Sequence, residues 1–220
     1  MRASLHGRPT RHQRAWLSPA WPVHLGSQLS AEARATLAQW FARGFPAVVC
    51  RDDPGDAAGV ALSVTLPASR WHATIRFTVG RAAVTRRAPP LPLAEAMLSA
   101  PPGWLAPLSD LERAAAGVGV PLSVTGALAW QHITGERYLA PRSPVDLLFR
   151  PRSREQLDRI LTVLRVREDG DGPHLAGEVL LGWDAAVAWR DLAHGRRRVL
   201  VRSVGSEAVV DVERLLAGLR

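Results

Sequence analysis

Val124-Thr125-Gly126-Ala127-Leu128-Ala129-Trp130-Gln131-His132-Ile133-Thr134-Gly135, followed after a short loop by Arg142-Ser143-Pro144-Val145-Asp146-Leu147-Leu148-Phe149, is the stretch that decides the fold. It reads as an apolar strand, a glycine turn, a short helix, a loop, and a second apolar strand carrying one carboxylate. Glycine after a strand permits a positive φ and a close approach of the backbone to a phosphate. The helix start that follows offers free N–H groups and a positive dipole end to an anion. Asp146, among Val, Leu and Phe, has two readings. It is a ligand for Mg²⁺ held against a polyphosphate, since that ion takes carboxylate and phosphate oxygens together. Otherwise it is a strand-end carboxylate facing solvent or paired with Arg150 or Arg152.

Working outward on the C-terminal side, Ser153-Arg154-Glu155-Gln156 caps a helix whose inner face carries Leu157, Ile160, Leu161 and Leu164. A hairpin-like pair, 174–181 and 185–189, brings Glu178 to the sheet, as a further metal carboxylate or as an ordinary outward polar residue. A strand over 199–204 and a closing helix over 209–219 complete the half. Upstream, Ser109-Asp110-Leu111-Glu112 reads as a capping box, and Pro121 to Val124 as the strand entering Gly126. Alternating helices and strands indicate α/β packing in this half.

Proline gathers in Ala88-Pro89-Pro90-Leu91-Pro92 and Pro101-Pro102-Gly103, bracketing a helical piece at 93–99. We therefore expect an N-terminal α+β module over 1–88, a proline-rich connection over 89–104 and a second domain over 105–220. In the first module, residues 1–20 read as an irregular arm ending at Trp16-Leu17. Ser30 caps a helix over 31–43, stopped by Gly44. Short strands are expected at 47–50, 60–66, 71–79 and 82–85. Asp52, Asp53 and Asp56, beside Pro54-Gly55, match no calcium spacing and read as turn formers.

The chain has 220 residues, 47% of them hydrophobic and 22% charged, which suits a globular protein with a sizeable core. Its net charge is +8, and with no lysine present all 28 cations are arginine. Arginine's planar fork suits phosphate, although net charge by default serves solubility. Arg142, Arg150 and Arg152 flank the acidic strand, placed either to neutralise a polyphosphate or to pair with Glu136 and Glu155. The single Cys50 excludes an internal disulfide and any cysteine-rich zinc site. No apolar run spans a bilayer and the Arg- and His-rich start lacks a secretory core, so a cytoplasmic location is expected. No nucleic-acid module is visible, which leaves charge as the sole argument for a nucleic-acid binder. No base is placed to activate Ser123, Thr125 or Ser143 as a nucleophile.

The run Gly126-x-x-Ala129-Trp130-Gln131-x-x-Thr134-Gly135-x-x-Tyr138-Leu139, with Ser143-x-x-Asp146-Leu147-Leu148, resembles malonate decarboxylase holo-acyl-carrier-protein synthase, also called phosphoribosyl-dephospho-CoA transferase. Further agreement lies in Gly177-Glu178-Val179 and in Ala186-Val187-Ala188-Trp189-Arg190-Asp191-Leu192, with weaker agreement at Trp16-Leu17, Phe45-Pro46-Ala47-Val48-Val49 and Leu66-Pro67. The resemblance implies a nucleotidyltransferase-like mixed β-sheet with flanking helices. It also implies transfer of the phosphoribosyl-dephospho-CoA group from triphosphoribosyl-dephospho-CoA to a serine of the malonate decarboxylase acyl-carrier protein, releasing diphosphate. Asp146 and Glu178 would be the catalytic and Mg²⁺-binding residues, and Gly126, Ala127, Arg142 and Ser143 would hold the precursor. The superfamily's Gly-Ser reads Gly126-Ala127 here, its Asp-x-Asp reads Pro144-Val145-Asp146, and the acid expected before Gly177-Glu178 is Ala176. These departures motivate an alternative, a catalytically impaired homologue that binds the carrier or the precursor without turnover.

Overall fold

A computed structural model describes residues 7–26, 28–50, 59–67, 73–168 and 172–219. The chain is α+β and divides into two compact units, Met1–Pro90 with Val204–Ser206 and Leu91–Ser203 with Glu207–Arg220.

The first unit is built on a five-stranded antiparallel sheet. Its strands are β1 (Arg14–Leu17), β2 (Ala47–Val49), β3 (Gly59–Thr65), β4 (Thr74–Gly80) and β5 (Val84–Ala88), in the order β4-β3-β2-β1-β5. Helix α1 (Ala31–Ala42) starts where the sequence signals it, with Ser30 Oγ accepting from Ala33 N at 3.1 Å. Leu37 and Trp40 of α1 are buried, and Trp40 Nε1 donates to Pro46 O at 2.9 Å. Trp21, Phe41 and Phe77 form a ring cluster with centroids 5.3–6.2 Å apart, in the edge-on and tilted arrangements that aromatic quadrupoles favour.

Residues 14–17 correct the expectation of an irregular arm. They form β1, which lies between β2 and β5 with Arg14 opposite both Val48 and Ala88. Four residues flanked by Arg and His carry too little alternation to announce a strand, and long-range pairing supplies what local pattern does not. The Asp52, Asp53 and Asp56 turn lies outside the described residues.

The second unit is a mixed seven-stranded sheet. Its strands are β6 (Leu91–Pro92), β7 (Leu122–Thr125), β8 (Val145–Phe149), β9 (Leu175–Leu181), β10 (Ala185–Ala188), β11 (Arg198–Arg202) and β12 (Glu207–Asp211), paired in the order β12-β11-β10-β9-β8-β7-β6. Among the described residues only β8 and β9 run parallel, joined through helix α5 (Arg154–Glu168), the crossover that a parallel pair requires. Val124, Val145, Leu147, Phe149, Leu175, Val179 and Leu181 bury one face in a single core. That core includes Leu108 and Leu111 of α3 (Pro102–Val118), Leu128 of α4 (Gly126–Thr134), and Leu157, Ile160 and Leu164 of α5. Short helices α2 (Leu93–Ala96), α6 (Trp189–Ala193) and α7 (Val212–Leu216) complete the unit.

Two expectations change here. The Ser109 capping box is not a helix start, because α3 already runs from Pro102 with Pro at its first turn. Proline is tolerated there, since its missing N–H has no intrahelical acceptor to bond. Asp110 pairs instead with Arg113 at 2.7 Å and Arg167 at 3.6 Å. The closing helix is shortened to α7, because Glu207–Asp211 form β12 against β11 along five residue pairs. The stretch read as a connection carries β6, α2 and the first turn of α3. Among the described residues no helix is long and apolar enough to cross a membrane.

Candidate active site

Strand register decides which side chains share a face. Asp146 lies opposite Thr125 of β7 and opposite Ala176 of β9, so these three project to the same side of the sheet. Leu147, its neighbour, points into the core on the other side. Glu178 pairs with Leu148, two positions along from Asp146 and on the same face. Strand spacing and rise place the two acidic residues' Cα atoms roughly 8 Å apart. Glu178 forms an ion pair with Arg202 of β11 at 3.5 Å, and Arg202 also reaches Glu207 at 3.3 Å. Arg202 is a contributor that the sequence reading missed. Its place beside Glu178 follows from the β9–β10–β11 pairing, which no local motif records.

Gly126 joins β7 to α4 with φ +68°. A β-carbon at this position would lie 3.1 Å from Asp146 Cγ and closer still to its Oδ2. The turn therefore requires glycine twice over, for its backbone conformation and for the room the carboxylate occupies. The helix start and the acidic side chain are thus immediate neighbours, as the sequence order alone leaves open.

The other candidate residues divide. Ala127 is partly buried and packs its methyl against the core, leaving its backbone N–H as the group it can offer an anion. Ser143 and Ala140 exchange hydrogen bonds, Ala140 N to Ser143 Oγ at 2.9 Å and Ser143 N to Ala140 O at 3.0 Å. This serine shapes the loop leading into β8. Arg142 beside it is exposed and makes no ion pair among the described residues. Arg150 sits at the far end of β8, about 13 Å along the strand from Asp146, where its guanidinium donates to Gly182 O. Burial lowers the Arg150 pKa, opposed by the charge of Asp184. Arg152 lies two residues further along the chain, its backbone N–H bonded to Gln156 Oε1 at 2.8 Å. Arg142 stands on the loop that leads into β8, four residues before Asp146.

His132 meets Ser99 Oγ through Nδ1 at 3.0 Å, and no group of three metal-ligating side chains gathers among the described residues. Asp146 and Glu178 share this face, and Glu207 reaches it through Arg202. Pro144 stands two residues before Asp146, and Ala176 lies opposite Asp146 across the parallel pair.

Two family models cover the chain in sequence. The phosphoribosyl-dephospho-CoA transferase MdcG N-terminal domain matches residues 10–90, and the C-terminal domain of the same family matches 92–213. This chain belongs to the phosphoribosyl-dephospho-CoA transferase family. Curated members named phosphoribosyl-dephospho-CoA transferase share a third of its residues across nearly their whole length. The Bradyrhizobium diazoefficiens protein is 33% identical over 211 residues, 96% of this chain and 93% of its own. The Xanthomonas campestris pv. campestris protein is 35% identical over 193 residues, 87% of this chain and 89% of its own. The Pseudomonas aeruginosa protein is 34% identical over 197 residues, 87% of each chain. No solved structure matches the chain. In this transferase family member the acid–glycine contact lies beside the start of α4, whose first N–H groups have no side-chain cap.

Proposed function

We propose that the chain transfers the phosphoribosyl-dephospho-CoA group from triphosphoribosyl-dephospho-CoA to a serine of the malonate decarboxylase acyl-carrier protein, by the chemistry of the nucleotidyltransferase superfamily. The observation that carries this reading is Asp146 packed against Gly126, which puts a carboxylate beside the free N–H groups that open α4. The serine hydroxyl oxygen attacks the α-phosphorus of the triphosphate, the α–β phosphoanhydride bond breaks, and diphosphate leaves. Asp146 accepts the hydroxyl's hydrogen bond, orients its oxygen in line with the leaving group and takes the proton released as the O–P bond forms. The turn at Gly126 admits the phosphates to the backbone, and Arg142 offsets charge as it moves onto the diphosphate.

Asp146 and Glu178 fit one magnesium ion shared with phosphate oxygens, which usually needs only one or two protein carboxylates. Bound there, Mg²⁺ would neutralise phosphate charge. The donor set is too small for a pair of ions, which takes several carboxylates around a separation of about 3.5–4 Å.

A second reading rests on the same register. Asp146 faces Ala176 across the parallel pair and follows Pro144 by two residues, so two neighbouring acidic positions are filled by apolar residues. In that reading the chain binds the carrier or the precursor without turnover. Intact-mass spectrometry of purified carrier after incubation with the chain, the precursor and Mg²⁺ separates the two. Transfer adds the mass of the group to the carrier, and the serine-to-alanine carrier stays unmodified. Stable association with carrier or precursor and no mass gain supports the binding role.

A further inference from the structure

At the opposite end of α4 from Asp146 lies a cavity of about 650 Å³ that the transfer step does not use. We infer that it binds the adenine of the dephospho-CoA portion of the substrate, an assignment that rests on the function proposed above. Its walls are apolar and flat: the half-buried indole of Trp104, the rings of Pro101 and Pro141, and Leu139. Its rim carries Glu136 and Arg137, an acceptor beside a donor. That pairing matches the edge of adenine, where the exocyclic amine donates and the adjacent ring nitrogen accepts. A carboxylate accepts several hydrogen bonds, so Glu136 serves the amine whatever else it meets. Arg137 is exposed and makes no ion pair among the described residues.

Gln131 ties the walls of the cavity together. Gln131 Oε1 accepts from both Tyr138 N and Leu139 N at 3.1 Å, and Gln131 Nε2 donates to Ser99 O at 2.6 Å. The loop on one side and the segment before α3 on the other are thereby tied to α4, giving the largely preformed shape typical of small-molecule sites. Position agrees with chemistry. The rise of α4 puts the cavity about 13 Å from Gly126, and the loop that lines it runs through Arg142 and Ser143 back to Asp146. A base anchored here leaves its ribose and phosphates directed along that loop. A planar base against Trp104 gains stacking area at little cost in lost rotamers, whereas a flexible pantetheine arm would lose many.

The test is calorimetric titration of dephospho-CoA into the full chain and into two variants, Trp104→Ala, which removes the wall, and Ala140→Trp, which fills the cavity from its exposed rim. The result expected is binding to the unaltered chain, competition by AMP but not by pantetheine, and at least a tenfold loss of affinity in both variants, with diphosphate binding unchanged. Undiminished affinity in Ala140→Trp, with its melting profile intact, overturns the cavity assignment and leaves the transferase reading standing. Displacement by pantetheine and not by AMP also overturns it. Failure of dephospho-CoA to bind even the unaltered chain overturns the substrate class and the cavity together.

Discussion

Gly126 and Asp146 occupy each other's space: the carboxylate fills the volume that any side chain at position 126 would need. Gly126→Ala therefore meets two penalties, a left-handed backbone that costs about 1–2 kcal/mol for a residue with a β-carbon, and displacement of the Asp146 carboxylate. The expected outcome is a modest fall in melting temperature with a disproportionate loss of transfer to the carrier, measured on the same preparation.

Gly177 makes a stronger structural demand. It sits opposite Leu147 in the one parallel pair of the sheet, with φ +118°. A β-carbon there would lie 2.5 Å from Leu147 N, 2.7 Å from Leu147 C and closer still to Leu147 O. Backbone cannot move aside as a flexible side chain can. Gly177→Ala should destabilise the chain by about 3 kcal/mol or more, read as a shift in the urea midpoint.

Pro144 and Ala176 are apolar residues beside Asp146, two positions before it along the chain and opposite it across the parallel pair. Single variants Pro144→Asp and Ala176→Asp, and the pair together, should raise diphosphate release by about tenfold or more if carboxylate supply limits turnover. Unchanged rates in all three, with the precursor still bound, would show that the present donor set is sufficient or that the chain is a binder.

Glu112 offers a check on the fold apart from the site. Its Oε2 is buried on α3 without a hydrogen-bond partner, and burial raises its carboxyl above the ordinary value. The folded chain thus keeps this proton to higher pH than the unfolded chain does. Its contribution to stability falls as pH rises from the ordinary carboxylate range through the raised folded value. Glu112→Gln should stabilise the chain modestly at pH 7, solvent around the rest of the side chain limiting the gain, and the gain should vanish as pH falls below about 4, where the wild-type acid is protonated in both states.

Much of this architecture is legible in the sequence, wherever a local signal decides an element. Ser30 sets the start of α1, Gly126 and Gly135 bound α4, and Leu157, Ile160 and Leu164 mark the inner face of α5. Elements fixed by distant pairing are not legible. β1 becomes a strand because β2 and β5 flank it, and β12 because β11 offers an edge. α3 hides its start behind prolines that read as breakers and serve as a first turn. At the site, the strand–turn–helix order brings Gly126 and Asp146 to notice, while their contact and the Glu178–Arg202 pair depend on register. The Gln131 staple was visible only as a motif residue; its three hydrogen bonds require the loop and the segment before α3 to be in place.

Asp146→Asn removes the carboxylate proposed to serve phosphoryl transfer with almost no change in volume. Carrier loading from radiolabelled triphosphoribosyl-dephospho-CoA should fall by at least about 100-fold, with diphosphate release falling in parallel and the fold intact by circular dichroism. Labelling of the carrier by Asp146→Asn at the wild-type rate would contradict the account.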